Sequence, residues 1–279
     1  MVRRARIEVE GVQDRLIAAG PEDSIEAVVF VHGNPGSADD WEALAAACGE
    51  RGLRAVAIDM PDFGQTAAPA GFDHTVASYA TFLDRALQKL GVERAHLVLH
   101  DFGGPFGLVW AAAHIDRLAS VTLIDTGILP GYKWHRMAKI WRTPVVGELS
   151  QALSFRSGMK KALAAAEPKG LPEEFMDRMY DQYDRRTRKA VLKLYRSTDD
   201  PGAAATELSA WMAQKDVPAL VIWGERDSYL PSSYAERQRE AFPSAEIHVL
   251  PDSGHWPFAD APETVERLLV DFLARVGGS

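Results

Sequence analysis

A single cysteine, Cys48, stands in 279 residues, so no intrachain disulfide can form and a reducing compartment is the expected home. No apolar run approaches the roughly 18 residues that a membrane span needs. Basic residues are not in excess: 31 Lys and Arg face 39 Asp and Glu, and a net charge of −8 argues against a general nucleic-acid binder. Internal repeats and low-complexity segments are missing too. The opening Met1-Val2-Arg3-Arg4-Ala5-Arg6 is basic but leads into a strand pattern, so no signal peptide is expected. These absences leave a soluble, cytoplasmic protein, a monomer or homodimer whose partner is a small-molecule substrate rather than nucleic acid or membrane. At this length a sizeable core needs no metal or disulfide, and no cofactor is expected.

What is present is an alternation of strand and helix patterns. Residues 6–20 read as a β-hairpin, and Ala27-Val28-Val29-Phe30-Val31 as a strand covered on both faces. Further strands are expected at Arg54 to Asp59, Ala95 to His100, Ala119 to Asp125, Ala219 to Gly224 and Ile247 to Leu250. Helices are expected at Trp41 to Cys48, Val76 to Leu90 (closed by Gly91), Ser232 to Phe242 and Pro262 to Val276. Such alternation predicts an α/β fold, a mostly parallel sheet with helices on both faces. The β signal vanishes over 128–213, where helical periods break at Pro144, Pro168-Lys169-Gly170, Pro172 and Asp200-Pro201-Gly202. This segment reads as an inserted helical cap over a core formed by 1–127 and 214–279, covering the strand ends where open α/β sheets bind ligands. It holds 15 Lys and Arg against 10 Asp and Glu, which reads as the solvated outer faces of its helices.

The stretch with the most chemistry is Leu97-Val98-Leu99-His100-Asp101-Phe102-Gly103-Gly104. A buried strand, a glycine-rich bend and a helix with one reactive side chain at the apex form a nucleophile elbow. Here the apex is Asp101 instead of serine or cysteine. A serine displacing a leaving group at saturated carbon would form an ether, beyond the reach of a histidine and water. A carboxylate forms an ester, which activated water hydrolyses at the carboxyl carbon of Asp101 itself. The base for that water is expected to be His255, in Ser253-Gly254-His255-Trp256-Pro257 directly after the last strand. Its acid partner is Asp227, favoured by the chain order Asp101, Asp227, His255, with Asp125 as the alternative. Backbone N–H groups of Asn34 and Phe102 are the expected oxyanion donors, the first from the loop His32-Gly33-Asn34-Pro35.

With these residues in view, the chain resembles an α/β-hydrolase over nearly its whole length. Within that superfamily His100-Asp101-Phe102-Gly103-Gly104 and His32-Gly33-Asn34-Pro35 resemble the epoxide hydrolase and haloalkane dehalogenase branch. The resemblance implies a cofactor-free hydrolase working through an Asp101 ester; epoxide opening is favoured, with dehalogenation as the alternative. An esterase-like or non-catalytic binding protein is a further alternative. For epoxides it implies proton-donating tyrosines: Tyr195, in a Tyr-Arg pair with Arg196, and Tyr132, with Tyr180 and Tyr183 as competitors. For halides it implies N–H donors: Asn34 matches, but Phe102 stands where the dehalogenase pattern has tryptophan, leaving Trp134 or Trp141 to substitute.

Overall fold

The computed structural model describes residues 1–277. Eight strands form one sheet: β1 (Arg3–Val9), β2 (Val12–Ala19), β3 (Glu26–Val31), β4 (Ala55–Ile58), β5 (Arg94–His100), β6 (Leu118–Ile124), β7 (Ala219–Gly224) and β8 (Glu246–Leu250). Their spatial order is β1-β2-β4-β3-β5-β6-β7-β8; the first two pairings are antiparallel and the rest parallel. Strands β3 to β7 are almost wholly buried, as their unbroken apolar runs require, whereas β1 and β8 close the edges half-exposed. Successive side chains point to opposite faces, so Val29, Leu97 and Val121 join one core while Phe30, Val98 and Ile222 join the other.

Between β6 and β7 the chain runs through six helices: Arg136–Arg142, Val146–Ala152, Arg156–Ala166, Glu173–Gln182, Arg185–Ser197 and Pro201–Ala213. Pro144, Pro168-Lys169-Gly170 and Pro172 fall between them, and Asp200-Pro201-Gly202 opens the last. Asp200 caps the last by accepting from the N–H groups of Gly202 and Ala203, and Pro201 occupies its first turn. Polar contacts tie this layer to loops of the sheet: Thr187 Oγ1 donates to the Asp62 carbonyl (2.8 Å) and Gln182 to Asp39 (2.8 Å).

Two expected elements end differently. The helix expected over Ser232 to Phe242 is α-helical only at Ser233–Arg237 and then tightens to a 3₁₀ turn at Gln238–Glu240. The buried Gln238 amide there bonds both the N–H and the C=O of Ile128 (2.9 Å each), a tertiary demand that propensity does not reveal. Strand β6 stops at Ile124, because Asp125 turns into the left-handed region (φ 42°).

Close approach explains the glycine after the elbow. A Cβ on Gly103 would collide with the Val31 carbonyl of β3, a backbone group that cannot swing aside. Gly103→Ala is therefore expected to lower stability by about 1–3 kcal/mol, the usual cost of overpacking, read as a fall in Tm. A melting temperature equal to wild type would remove this contact from the account.

Candidate active site

Strand β5 delivers Asp101 to the carboxyl edge of the sheet, and the helix Gly103–Ala113 starts two residues later. Asp101 has φ 47°, a conformation that non-glycine residues rarely hold and that the surrounding packing must enforce. Thr126 Oγ1 donates to its carbonyl (2.6 Å) from the loop after β6. On the other side lies Gly33, where any Cβ would strike the Asp101 side chain. That close approach brings the Asn34 N–H to 2.6 Å from Asp101 Oδ1. Burial alone would raise the Asp101 carboxyl, but the nearby His255 and the Asn34 amide outweigh it and hold it below the usual carboxylate range.

His255 approaches from the loop after β8. Its Nε2 lies 3.6 Å from Asp101 Oδ2, and its Nδ1 lies 2.7 Å from Asp227 Oδ2. Burial disfavours the imidazolium; the charges of Asp227 and Asp101 outweigh it and lift the imidazole well above its ordinary value. Asp227 is held by the N–H groups of Tyr229 (2.6 Å) and Leu230 (2.9 Å) on Oδ1, leaving Oδ2 for the imidazole. These bonds and His255 overcome burial and keep Asp227 below the usual range.

Asp125, the alternative acid, stands beside this pair without a hydrogen bond to the ring. Its Oδ1 accepts from the Gly224 N–H (2.9 Å), and among the described residues Oδ2 has no hydrogen-bond partner. Burial and the Asp227 charge both push Asp125 well above the usual carboxylate range, while Asp227 is held below it. Asp125, Asp227 and His255 bring ligand-type atoms within 4.8 Å of one another, but the Asp227–His255 hydrogen bond already uses the facing pair.

Asp101 and His255 open into a cavity of about 1290 Å³ between the sheet edge and the inserted helices. Its walls include Asn34, Phe102, Tyr132, Trp134, Trp141, Tyr183 and Tyr195, so every expected leaving-group donor reaches it. Tyr195 is buried, with its ring edge-on to Phe102 (centroids 4.9 Å apart) and against Trp141 (5.0 Å). Burial foremost, and the Asp101 charge, push the Tyr195 and Tyr132 phenols up. Among the described residues, Asn34 Nδ2 and Trp134 Nε1 are buried with no hydrogen-bond partner. The competitors separate: Tyr183 Oη already accepts from Gln151 Nε2 (2.9 Å), while Tyr180 lies outside the cavity lining beneath the Arg156 guanidinium. Arg196 stays outside as well, paired with Glu148 (2.6 Å) and bonded to the Trp141 carbonyl (3.2 Å).

A match to the alpha/beta hydrolase fold family spans residues 26–262. The chain belongs to that family. Among similar proteins, this α/β hydrolase is 28% identical to a cis-3-alkyl-4-alkyloxetan-2-one decarboxylase of Xanthomonas campestris pv. campestris, over 97% of this chain and 95% of the relative. It is 26% identical to a 2-hydroxy-6-oxononadienedioate/2-hydroxy-6-oxononatrienedioate hydrolase of Paraburkholderia phymatum, over 90% and 88% of the two chains. A haloalkane dehalogenase from Bradyrhizobium elkani superposes with TM-score 0.85 at 21% identity, covering 100% of this chain and 99% of the other. A Vigna radiata epoxide hydrolase mutant gives 0.81 at 20% identity, covering 98% and 99%. Identities this low carry the fold alone. Among the described residues no helix is long and apolar enough to cross a membrane.

Three residues near this α/β hydrolase's histidine were not singled out from sequence. Tyr229 packs its ring 5.0 Å from the His255 ring, and its place two residues after Asp227 was the available signal. His135, whose Nδ1 accepts from the Ala138 N–H (3.2 Å), lines the cavity. Glu167, between an alanine-rich helix and a Pro-Lys-Gly breaker, accepts from the His255 N–H at 2.8 Å and carries no sequence signal at all.

Proposed function

We propose that this α/β hydrolase opens epoxides at saturated carbon and hydrolyses the resulting Asp101 ester to a diol. Asp101 Oδ2 attacks a ring carbon, the carbon–oxygen bond breaks, and the departing oxygen takes a proton from Tyr195, with Tyr132 as the second donor. Water then loses a proton to His255 Nε2 and adds to the Asp101 carboxyl carbon. The oxyanion forms on Oδ1, where the Asn34 N–H already points at 2.6 Å. The acyl–oxygen bond breaks, the diol leaves with a proton returned from His255, and the proton left on the Asp101 carboxyl passes to the Tyr195 phenolate, which restores both groups.

The observation that carries the reading is the pair of protonated phenols, Tyr195 and Tyr132, lining the same cavity as an ionised Asp101. The Xanthomonas relative's name lends support, because an oxetan-2-one is also a strained oxygen ring. A second reading, halide displacement, draws on the side-chain N–H groups of Asn34 and Trp134, which have no hydrogen-bond partner among the described residues. A buried donor without an acceptor costs about 1–3 kcal/mol, which a departing halide would relieve.

The two readings part on two variants. Tyr195→Phe is expected to slow epoxide turnover roughly 10²-fold, the low end of what a positioned proton donor contributes, while Trp134→Phe changes it little. Steady-state rates on paired epoxide and haloalkane substrates check this. Full epoxide turnover by Tyr195→Phe, with haloalkane turnover lost in Trp134→Phe, would replace the first reading by the second.

A further inference from the structure

His255 is held by its backbone from two directions. Its carbonyl accepts from His100 Nε2 (2.8 Å), within the sheet's own framework, while its N–H donates to Glu167 Oε1 (2.8 Å), which belongs to the inserted helices. Glu167 follows the helix Arg156–Ala166 and is only 2% exposed, so a carboxyl has been carried down from the helical layer into the core. The chain leaves room for it: a Cβ on Gly254 would occupy the space of the Glu167 carboxyl. The same turn is held from behind by Asp260, which accepts from Ser253 Oγ and from the Gly254 N–H (2.8 Å). Two carboxyls therefore grip Ser253-Gly254-His255, one from the helix that follows the loop and one from the inserted layer. Among the described residues, Glu167 Oε2 has no hydrogen-bond partner. A buried carboxyl beside a second carboxyl is stable when one of the two keeps its proton.

We propose that Glu167 is a positioning residue, which makes the placement of His255 conditional on the seating of the inserted helices over the site. It touches neither Asp101 nor the space above it; it acts through the main chain of His255. Resting on the two-step reading above, the consequence is selective. The attack of Asp101 on carbon uses no base and proceeds without this contact, whereas water activation needs Nε2 within hydrogen-bond reach of the water and slows when the loop shifts. The groups facing Glu167 are the His255 ring, the Asp260 carboxyl and the Tyr229 phenol. Burial, foremost, and Asp260 push Glu167 up to about 8.

The test compares wild type, Glu167→Gln and Glu167→Ala in the full-length enzyme. In single-turnover experiments with an epoxide, Glu167→Ala is expected to alkylate Asp101 within about twofold of wild type. Ester hydrolysis is expected to slow on the order of 10²-fold, the cost of a catalytic group displaced by about an ångström. Glu167→Gln keeps an acceptor for the His255 N–H and is expected to restore hydrolysis. Equal slowing of both steps, or no slowing, would overturn the proposal. A second readout needs no substrate. The His255 amide resonance, followed by NMR from pH 6 to 10, should show a step near 8 in wild type that Glu167→Gln lacks. Superimposable titrations overturn the proposal even where the alanine variant fails to fold. If no substrate alkylates any of the three proteins while the amide step is present, the epoxide reading fails and the role of Glu167 stands.

Discussion

His255→Gln is expected to stop this enzyme halfway, with substrate carbon bonded to Asp101. The first step needs only an ionised carboxylate and a proton donor, and Asp101 keeps its Asn34 hydrogen bond without the imidazole. The second step needs a base 3–4 Å from the carboxyl, and glutamine has none to offer; loss of such a base typically costs 10²–10⁴-fold. There is a further reason for the split. His255 is raised by the negative charges of Asp227 and Asp101, against the pull of burial. Alkylation neutralises Asp101, so the imidazole's affinity for a proton falls at the moment it must act as a base. Intact-protein mass spectrometry reads the outcome and names the chemistry. An epoxide adds its whole mass, whereas a haloalkane adds its mass less the hydrogen halide. Absence of any adduct across both substrate classes would remove the covalent mechanism.

Asp227→Asn is expected to lower turnover by about 10³–10⁴-fold, with its main effect on ester hydrolysis. Asp227 Oδ2 fixes the proton on Nδ1 at 2.7 Å and leaves Nε2 free to accept. An asparagine amide can donate to Nδ1 instead, which puts the proton on Nε2, where the base should be. The sign of the pH effect follows too: removing the Asp227 charge removes a force favouring the imidazolium, so His255 titrates at lower pH. Asp125→Asn is the control. Burial and the charge of Asp227 push Asp125 toward its neutral form, which an isosteric amide mimics. Its turnover should fall far less. A loss in Asp125→Asn equal to that in Asp227→Asn would reassign the acid.

The same contrast shows how much was readable in the chain. The sheet's parallel core was legible because β3 to β7 are buried on both faces and so appear as unbroken apolar runs. Asp101 stood out because strand, bend and helix are adjacent in sequence, and His255 because its loop directly follows a strand. Asp125, ending one core strand, and Asp227, just after another, were separated on paper only by chain order, which favoured Asp227. What separates them is a pair of backbone N–H groups, Tyr229 and Leu230, that turn one carboxylate toward the ring. The donors from the inserted segment were harder still. Tyr132, Trp134, Trp141 and Tyr195 all line one cavity, and which atoms face the reacting carbon depends on helix packing across long sequence separations.

By itself the sequence determined the class of fold and the carboxylate at the apex of the elbow, because local patterns of hydrophobicity and an aspartate at a glycine-rich bend are written in neighbouring residues. Only the tertiary structure decided which acid hydrogen-bonds the His255 ring and that Glu167 holds the His255 backbone N–H. Those outcomes depend on distances of a few ångströms between residues far apart in the chain, which have no signature in residue order.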